Sequence, residues 1–383
     1  MPTPCLPPRP EPALIAPVLL IVFNRPHPTR RVFEAVRRAR PARLYVAADG
    51  PRPDRPTDAA RCAETRSLVT EGVDWPCEVH TLFRTENRGC GWGPAEAINW
   101  FFEQESEGII LEDDCLPSAS FFRFCQETLA RYRHDSRVMH IAGGNFSFEA
   151  RQPVPAGADS YHFSGRVHSW GWASWQRAWQ HFDFNLTNLP ELRRNGVLAR
   201  HYPSLLERAY WLHKFEKVRA EKASAHIWDY QWHFAVAAQR GLTIVPAVNL
   251  MTNIGFGDDA THTVDSHAQR AHPAAGEMTF PLRHPAQLVR DQRRDGQYFR
   301  EHLIQYALTT NRRFLSWLLP TKAIPPLPTA PGVASTSLAQ PTSVLSCKFS
   351  SPHMPVALRR AVKAATASTG FGKLPPLAMR CGA

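Results

Sequence analysis

From Pro17 onward the chain alternates short apolar runs with amphipathic stretches. Residues 18–23 read Val-Leu-Leu-Ile-Val-Phe, a run of the length and composition of a buried strand. Thr29 can cap a helix whose apolar side is Val32, Phe33 and Val36, at helical spacing. Residues 44–48 predict a second strand that ends in the turn Asp49-Gly50-Pro51. Residues 57–69 are helical in pattern, and residues 77–83 alternate as a third strand. Pro94 is placed to open a helix over 95–103. Gly108-Ile109-Ile110-Leu111 then makes a fourth strand that delivers Glu112-Asp113-Asp114. Ser118 can cap a further helix to about Arg131, followed by a strand at 138–141.

Strand alternating with helix predicts an α/β fold with a mostly parallel, doubly wound, Rossmann-like sheet. Ligands of such sheets sit beyond the carboxyl ends of the strands. Asp49 and the acidic triplet both lie at such ends. After about residue 150 tryptophans become dense, and the pattern predicts a helix-rich second half. Residues 1–16 read as a disordered Pro-rich leader and 17–150 as the ligand-binding α/β half. Residues 151–320 read as the second half of the same domain, with one or two terminal helices over 287–318. Residues 321–383 read as a largely disordered Pro/Ala/Ser-rich tail, with a short basic helix conceivable at 357–367.

Composition narrows the classes. At 383 residues and 43% hydrophobic, the chain can bury a sizeable core. No apolar run is long enough for a transmembrane helix, and the start lacks the pattern of a secretory signal. The eight cysteines form no C-x-x-C pair, which points to reduced thiols in a cytoplasmic protein rather than zinc or disulfides. The formal charge is +11, but the tail after residue 320 holds seven Lys/Arg and no Asp or Glu. The body is therefore only mildly basic, and no nucleic-acid motif appears. The tail is either a solvated segment or a peripheral contact with anionic lipid.

Six segments carry candidate chemistry. A divalent cation bridging a diphosphate needs only one or two protein carboxylates, and Glu112-Asp113-Asp114 at a strand end can supply them. An acidic turn or helix-capping region is the plainer alternative. Arg25, in Asn24-Arg25-Pro26, offers a guanidinium fork for a diphosphate or base edge, and Asp49 an acceptor for a uracil imide. Both segments also read as ordinary turns. Glu86-Asn87-Arg88-Gly89-Cys90-Gly91-Trp92-Gly93 reads as a donor-side loop or a flexible connector. Trp172, Trp175 and Trp179 fall on one face if that segment is helical, for core packing or sugar stacking, and the preceding Gly165-Arg166-Val167-His168-Ser169 is the better ligand wall. Asp229, ahead of an apolar helical run, is either a helix cap or a carboxylate base for an acceptor hydroxyl. Residues 253–262 form a candidate lid whose His262 could reach a phosphate.

The order of these segments resembles a known family. Asn24-Arg25-Pro26, Asp49, Glu112-Asp113-Asp114, Trp228-Asp229 and the 255–262 loop are similar to the GT-A glycosyltransferases related to the animal enzymes that add N-acetylglucosamine to N-glycan mannose. Trp170-Gly171-Trp172-Ala173-Ser174-Trp175 resembles the W-G-W-A-[ST]-W segment of bacterial glycosyltransferase-like proteins. The resemblance spans about residues 17–265. It implies a GT-A fold and transfer from a nucleotide sugar, chiefly a UDP-sugar, to a glycan or lipid-linked acceptor with inversion. It implies Asp114 as the ligand of Mn²⁺ or Mg²⁺, Glu112 and Asp113 as contacts to the nucleotide sugar, and Arg25 and Asp49 as nucleotide contacts. Asp229 would be the base. The animal enzymes carry a nucleotide-contacting His where Gly91-Trp92-Gly93 stand here, and a membrane anchor that this sequence lacks. The setting implied is bacterial surface-polysaccharide synthesis, in the cytoplasm or peripheral to the inner membrane. Two rivals stand beside it: a sugar-phosphate nucleotidyltransferase, and a non-catalytic nucleotide-sugar-binding protein of the same fold.

Overall fold

A computed structural model describes residues 14–221, 226–255 and 274–310. Its centre is an eight-stranded sheet in the order β3-β2-β1-β4-β8-β6-β9-β7. The strands are β1 (Val18–Val22), β2 (Arg43–Ala48), β3 (Glu78–Phe83), β4 (Glu107–Glu112), β6 (Val138–Ala142), β7 (Tyr161–Ser164), β8 (Trp172–Trp175) and β9 (Leu242–Pro246). β1 pairs in parallel with β2 and β4, β2 with β3, and β6 with β9. β8 is antiparallel to both β4 and β6, and β7 is antiparallel to β9. Six strands thus share one direction, and their carboxyl ends share one edge. The predicted α/β class with a mostly parallel sheet is what the chain forms.

Side-chain alternation along the strands builds a core on each face. Val18, Leu20 and Val22 of β1, with Ile109 and Leu111 of β4, enter one core; Leu19 and Ile110 enter the other. The first core is covered by α1 (Pro26–Ala39), α2 (Asp58–Glu71) and α4 (Ala119–Tyr132), which contribute Val32, Val69 and Phe121. The second is covered by α3 (Gly89–Gln104), the short α5 (Gln176–Trp179) and α9 (Asp229–Ala238), through Ile98, Trp179 and Trp232. A third, smaller core joins α6 (Leu189–Arg194), α7 (Val197–His201), α8 (Leu205–Glu221) and α9. The last described helix is α10 (Gln292–Thr310). No helix among the described residues is long and apolar enough to cross a membrane. Cys62, Cys77, Cys90, Cys115 and Cys125 carry free thiols.

Several local expectations are corrected. Trp172 and Trp175 lie on a strand, so they face opposite sides: Trp172 enters the second core and Trp175 the first. Ladder pairing with β4 and β6 overrides the helical spacing of the tryptophans. The second half is therefore not merely helix-rich, because it supplies three strands to the same sheet. The helix expected from Pro94 already begins at Gly89, so the glycine segment forms its first turns. Thr29 does not cap α1; it lies inside the helix and donates to the Arg25 carbonyl at 2.7 Å. Ser118 does occupy the position before α4, but the Glu277 carboxylate accepts from Ala119 and Ser120 N–H at 3.1 and 2.8 Å. Leu14 and Ala16, which the sequence reads as part of the leader, are buried, and the Leu14 carbonyl accepts from Ala42 N–H. The 357–367 segment lies outside the described residues.

Candidate active site

Parallel pairing puts the ends of β1, β2 and β4 side by side, with Val22 opposite Ala48 and Ile21 opposite Glu112. The residues that leave these ends converge. Glu112 is the last residue of β4, and Asp113 and Asp114 form the turn before β5 (Cys115–Pro117). Arg25, just beyond β1, reaches across to them. Its Nε donates to Asp113 Oδ2 at 3.2 Å, and its Nη2 donates to Asp113 Oδ1 and, at 2.8 Å, to Asp114 Oδ2. The guanidinium fork thus ties the two aspartates together across 88 residues of sequence.

The electrostatics follow from three carboxyl groups facing one guanidinium. Burial first, then the charges of Asp114 and Asp113, against the opposing Arg25, bring the Glu112 carboxyl up to about 8. Burial also raises Asp113, again against Arg25. Burial alone would lower Arg25, but Asp113 and Asp114 override it and hold the guanidinium more firmly protonated than usual. The charge of Asp229 adds the smallest of the upward pushes on Glu112, so its carboxylate lies within electrostatic range of the cluster.

Asp229 is the first residue of α9, and Trp228 occupies the cap position. Trp228 is buried and stacks on Trp172 at 5.8 Å between ring centres, which fixes where the helix begins. Asp229 Oδ1 accepts from Tyr230 N–H at 3.0 Å.

Asp49 leaves the end of β2 but turns toward the start of α3. Its Oδ1 accepts from Gly50 and Arg88 N–H at 3.0 and 2.9 Å, and its Oδ2 from Arg88 and Gly89 N–H, both at 3.0 Å. This is the arrangement that suits an anion at a helix N-terminus. Cys90, in the first turn of α3, is raised first by burial and then by the charges of Glu112 and Asp49. The start of α3 therefore senses both charges, and is bonded to Asp49 alone of the two. Asn24 does not face the cluster. Its Nδ2 donates to buried Asp58 at 2.7 Å, and Arg52 binds the same carboxylate through Nε and Nη2 at 2.6 and 3.0 Å. Arg52, followed by Asn24, holds Asp58 down at about 2, so this pair fastens the turn after β1 to the loop after β2.

The segment after β9 closes the other side. β10 (Met251–Asn253) pairs antiparallel with β5, and Ile254 N–H donates to the Asp114 carbonyl at 2.8 Å. Gly255 then lies against the Asp114 carboxylate: a Cβ there would come within 2.1 Å of Oδ2. Gly255→Ala is expected to push the Asp114 carboxylate off Arg25 and to cost about 1–3 kcal/mol of stability, as overpacking does. Urea denaturation measures it; unchanged stability would show that the contact is loose. His262 and the rest of the expected lid, residues 256–262, lie outside the described residues.

Carboxylate oxygens are the right donors for Mg²⁺ or Mn²⁺. Among the described residues no three His, Cys, Asp or Glu side chains form a cage for an ion by themselves. Asp114 is the partly exposed member of the pair that Arg25 holds, and is the carboxylate here that could ligate such an ion.

The 165–169 loop that the sequence offers as a ligand wall is held by partners the sequence does not reveal. Arg166 is buried and donates to Glu207 at 2.6 Å and to the Asp295 carbonyl at 3.1 Å. Asp295 also accepts from Ser164 Oγ and Gly165 N–H. Arg166 and His168 are among the residues that line a cavity described below.

No protein-family model and no curated protein matches this chain. Among solved structures, HddC from Yersinia pseudotuberculosis aligns with 46% of this chain and 86% of its own, at 12% identity and a TM-score of 0.29. The apo form of mouse xyloside xylosyltransferase 1 aligns with 69% of this chain and 96% of its own, at 10% identity and a TM-score of 0.31. Likenesses this distant leave the assignment of function to the geometry of the chain itself.

Proposed function

We propose that this protein is a glycosyltransferase that moves a sugar from a nucleotide-diphosphate donor, in the first instance a UDP-sugar, to a hydroxyl of a glycan or glycolipid acceptor. The observation that carries this reading is the cluster of Glu112, Asp113 and Asp114 at the carboxyl end of β4, joined by Arg25 from the end of β1, with the Asp229 carboxylate at the start of α9 within electrostatic range. Such an edge is where α/β sheets hold nucleotide ligands.

Asp114 would hold Mn²⁺ or Mg²⁺, which when bound supplies positive charge to the diphosphate as it departs. Arg25 is the one cation in hydrogen-bond contact with Asp113 and Asp114 among the described residues, and it orients both carboxylates. Glu112 and Asp113 present acceptors to donor hydroxyls. Asp229 takes the proton from the acceptor hydroxyl as that oxygen attacks the anomeric carbon from the face opposite the leaving diphosphate, which inverts the centre. Asp49 organises the start of α3, and in this reading it meets the nucleotide through that loop.

A thermal-shift screen of UDP-, GDP-, CMP- and dTDP-sugars, with and without Mn²⁺, tests the proposal. Saturating donor at about 100 times Kd is expected to add about 2.7 kcal/mol to wild type, in a Mn²⁺-dependent way. Asp114→Asn should lose that gain. Equal stabilisation of both proteins, or none of wild type by any donor, overturns the reading.

A further inference from the structure

A cavity of about 320 Å³ opens beyond the carboxyl ends of β6 and β9, beside α10. That volume is at the small end of the range for ligand pockets, about 300–1,000 Å³. Because β4, β6 and β9 run in the same direction, the cavity shares an edge with the acidic cluster. One stretch of chain touches both places. Val245 and Ala247 line the cavity, Asn249 Oδ1 accepts from the N–H of cavity residue Asn145, and Gly255 abuts Asp114.

An aromatic row reaches it from behind, and its last two rings, His168 and Tyr298, line the cavity. Trp170 meets Phe146 edge-on at 4.8 Å, Phe146 meets His168 at 5.3 Å, and His168 meets Tyr298 at 5.1 Å. Gln152 and Gln297 also line the cavity, whereas the amide of neighbouring Asn145 is taken up by the Pro246 carbonyl and Ser147. Aromatic rings with amide donors and acceptors suit a pyranose, which has an apolar face and a rim of hydroxyls.

The charges there are already matched. Arg293 and Arg294 pair with Glu149 at 3.1 and 3.0 Å, and Arg166 pairs with Glu207. Burial holds His162 and His168 neutral, at about 4 and about 3. Among the described lining residues three arginines (Arg166, Arg293, Arg294) stand beside three carboxylates (Glu149, Asp159, Asp295), so the wall has no excess of positive charge to attract an acid group.

We propose that this cavity is a binding site for an uncharged saccharide, the terminal unit of the acceptor. The proposal rests on the transfer reading above for the word acceptor, but saccharide binding can be measured without it. Saturation-transfer NMR with millimolar methyl glycosides of glucose, galactose, mannose, rhamnose and N-acetylglucosamine is the test, with methyl glucuronide as the charged probe. At least one neutral glycoside is expected to bind wild type, and the glucuronide not to bind. Ala247→Phe, which fills the cavity, and Gln297→Ala, which removes one amide at its rim, are each expected to weaken binding by about tenfold or more. Unchanged binding in either folded variant, preference for the glucuronide, or no binding by any probe overturns the proposal. Stabilisation of the same proteins by UDP-sugar and Mn²⁺ is read in parallel. Its loss in wild type strikes the donor reading alone, whereas its retention in a variant that no longer binds glycoside separates the two sites.

Discussion

Asp229→Asn is expected to lower kcat for sugar transfer by about 10²–10⁴-fold, the usual contribution of a positioned base. Asparagine keeps the side-chain oxygen that accepts from Tyr230 N–H, and Trp228 still anchors the helix start through Trp172. Fold and donor affinity should therefore change little. What is lost is the ability to take a proton. The carboxylate that raises Glu112 also disappears, so the Glu112 carboxyl should titrate somewhat lower in the variant. Measuring UDP release and donor affinity side by side separates the roles. Turnover within threefold of wild type, roughly 0.6 kcal/mol in barrier, removes Asp229 from the chemistry.

Stability is expected to fall steeply when the pH drops from 7 to 5.5. Burial holds His140 and His168 at about 3 and His162 and His201 at about 4, and it drives His233 well below its ordinary value. In the unfolded chain each titrates near 6.5. Between roughly pH 6.5 and 4 the unfolded state therefore binds protons that the native state refuses. The stabilisation is complete above that range and drains away as pH falls through it, at roughly 1 kcal/mol per histidine by pH 5.5. Glu112, raised to about 8, works in the opposite sense and returns some of the loss. The net change is on the order of 3 kcal/mol, a large share of a typical domain's stability.

His140 shows why these rings stay neutral. Trp232 Nε1–H donates to its Nδ1 at 3.1 Å, and its Nε2 meets the His168 carbonyl at 3.0 Å. One nitrogen must accept and the other donate, which only the neutral ring can do. Urea unfolding at pH 7, 6 and 5.5 measures the effect, and a flat profile would contradict buried neutral histidines.

Much of the first half was legible because its signals are local. The apolar runs that became β1, β2 and β4 carry strand-length burial in their own composition. The acidic triplet follows β4 directly, so placing the strand placed the carboxylates. The tryptophan segment failed for the opposite reason. Trp172, Trp175 and Trp179 have helical spacing, yet Trp172 and Trp175 pair as a strand between β4 and β6. Spacing alone cannot separate a helix stripe from a strand buried on both faces. The Arg166–Glu207–Asp295 network left no local signal, since its members come from three distant segments.

What the sequence determined by itself was period, turn and charge: an α/β chain with carboxylates delivered at a strand end. Tertiary structure decided which groups those charges meet. It set Arg25 on Asp113 and Asp114, turned Asp49 onto the start of α3, gave Asn24 to Asp58 and brought Asp229 within electrostatic range of Glu112. The physical reason is range. Helix and strand periods arise from neighbouring residues, whereas an ion pair or a buried imidazole depends on segments that only the folded sheet brings together.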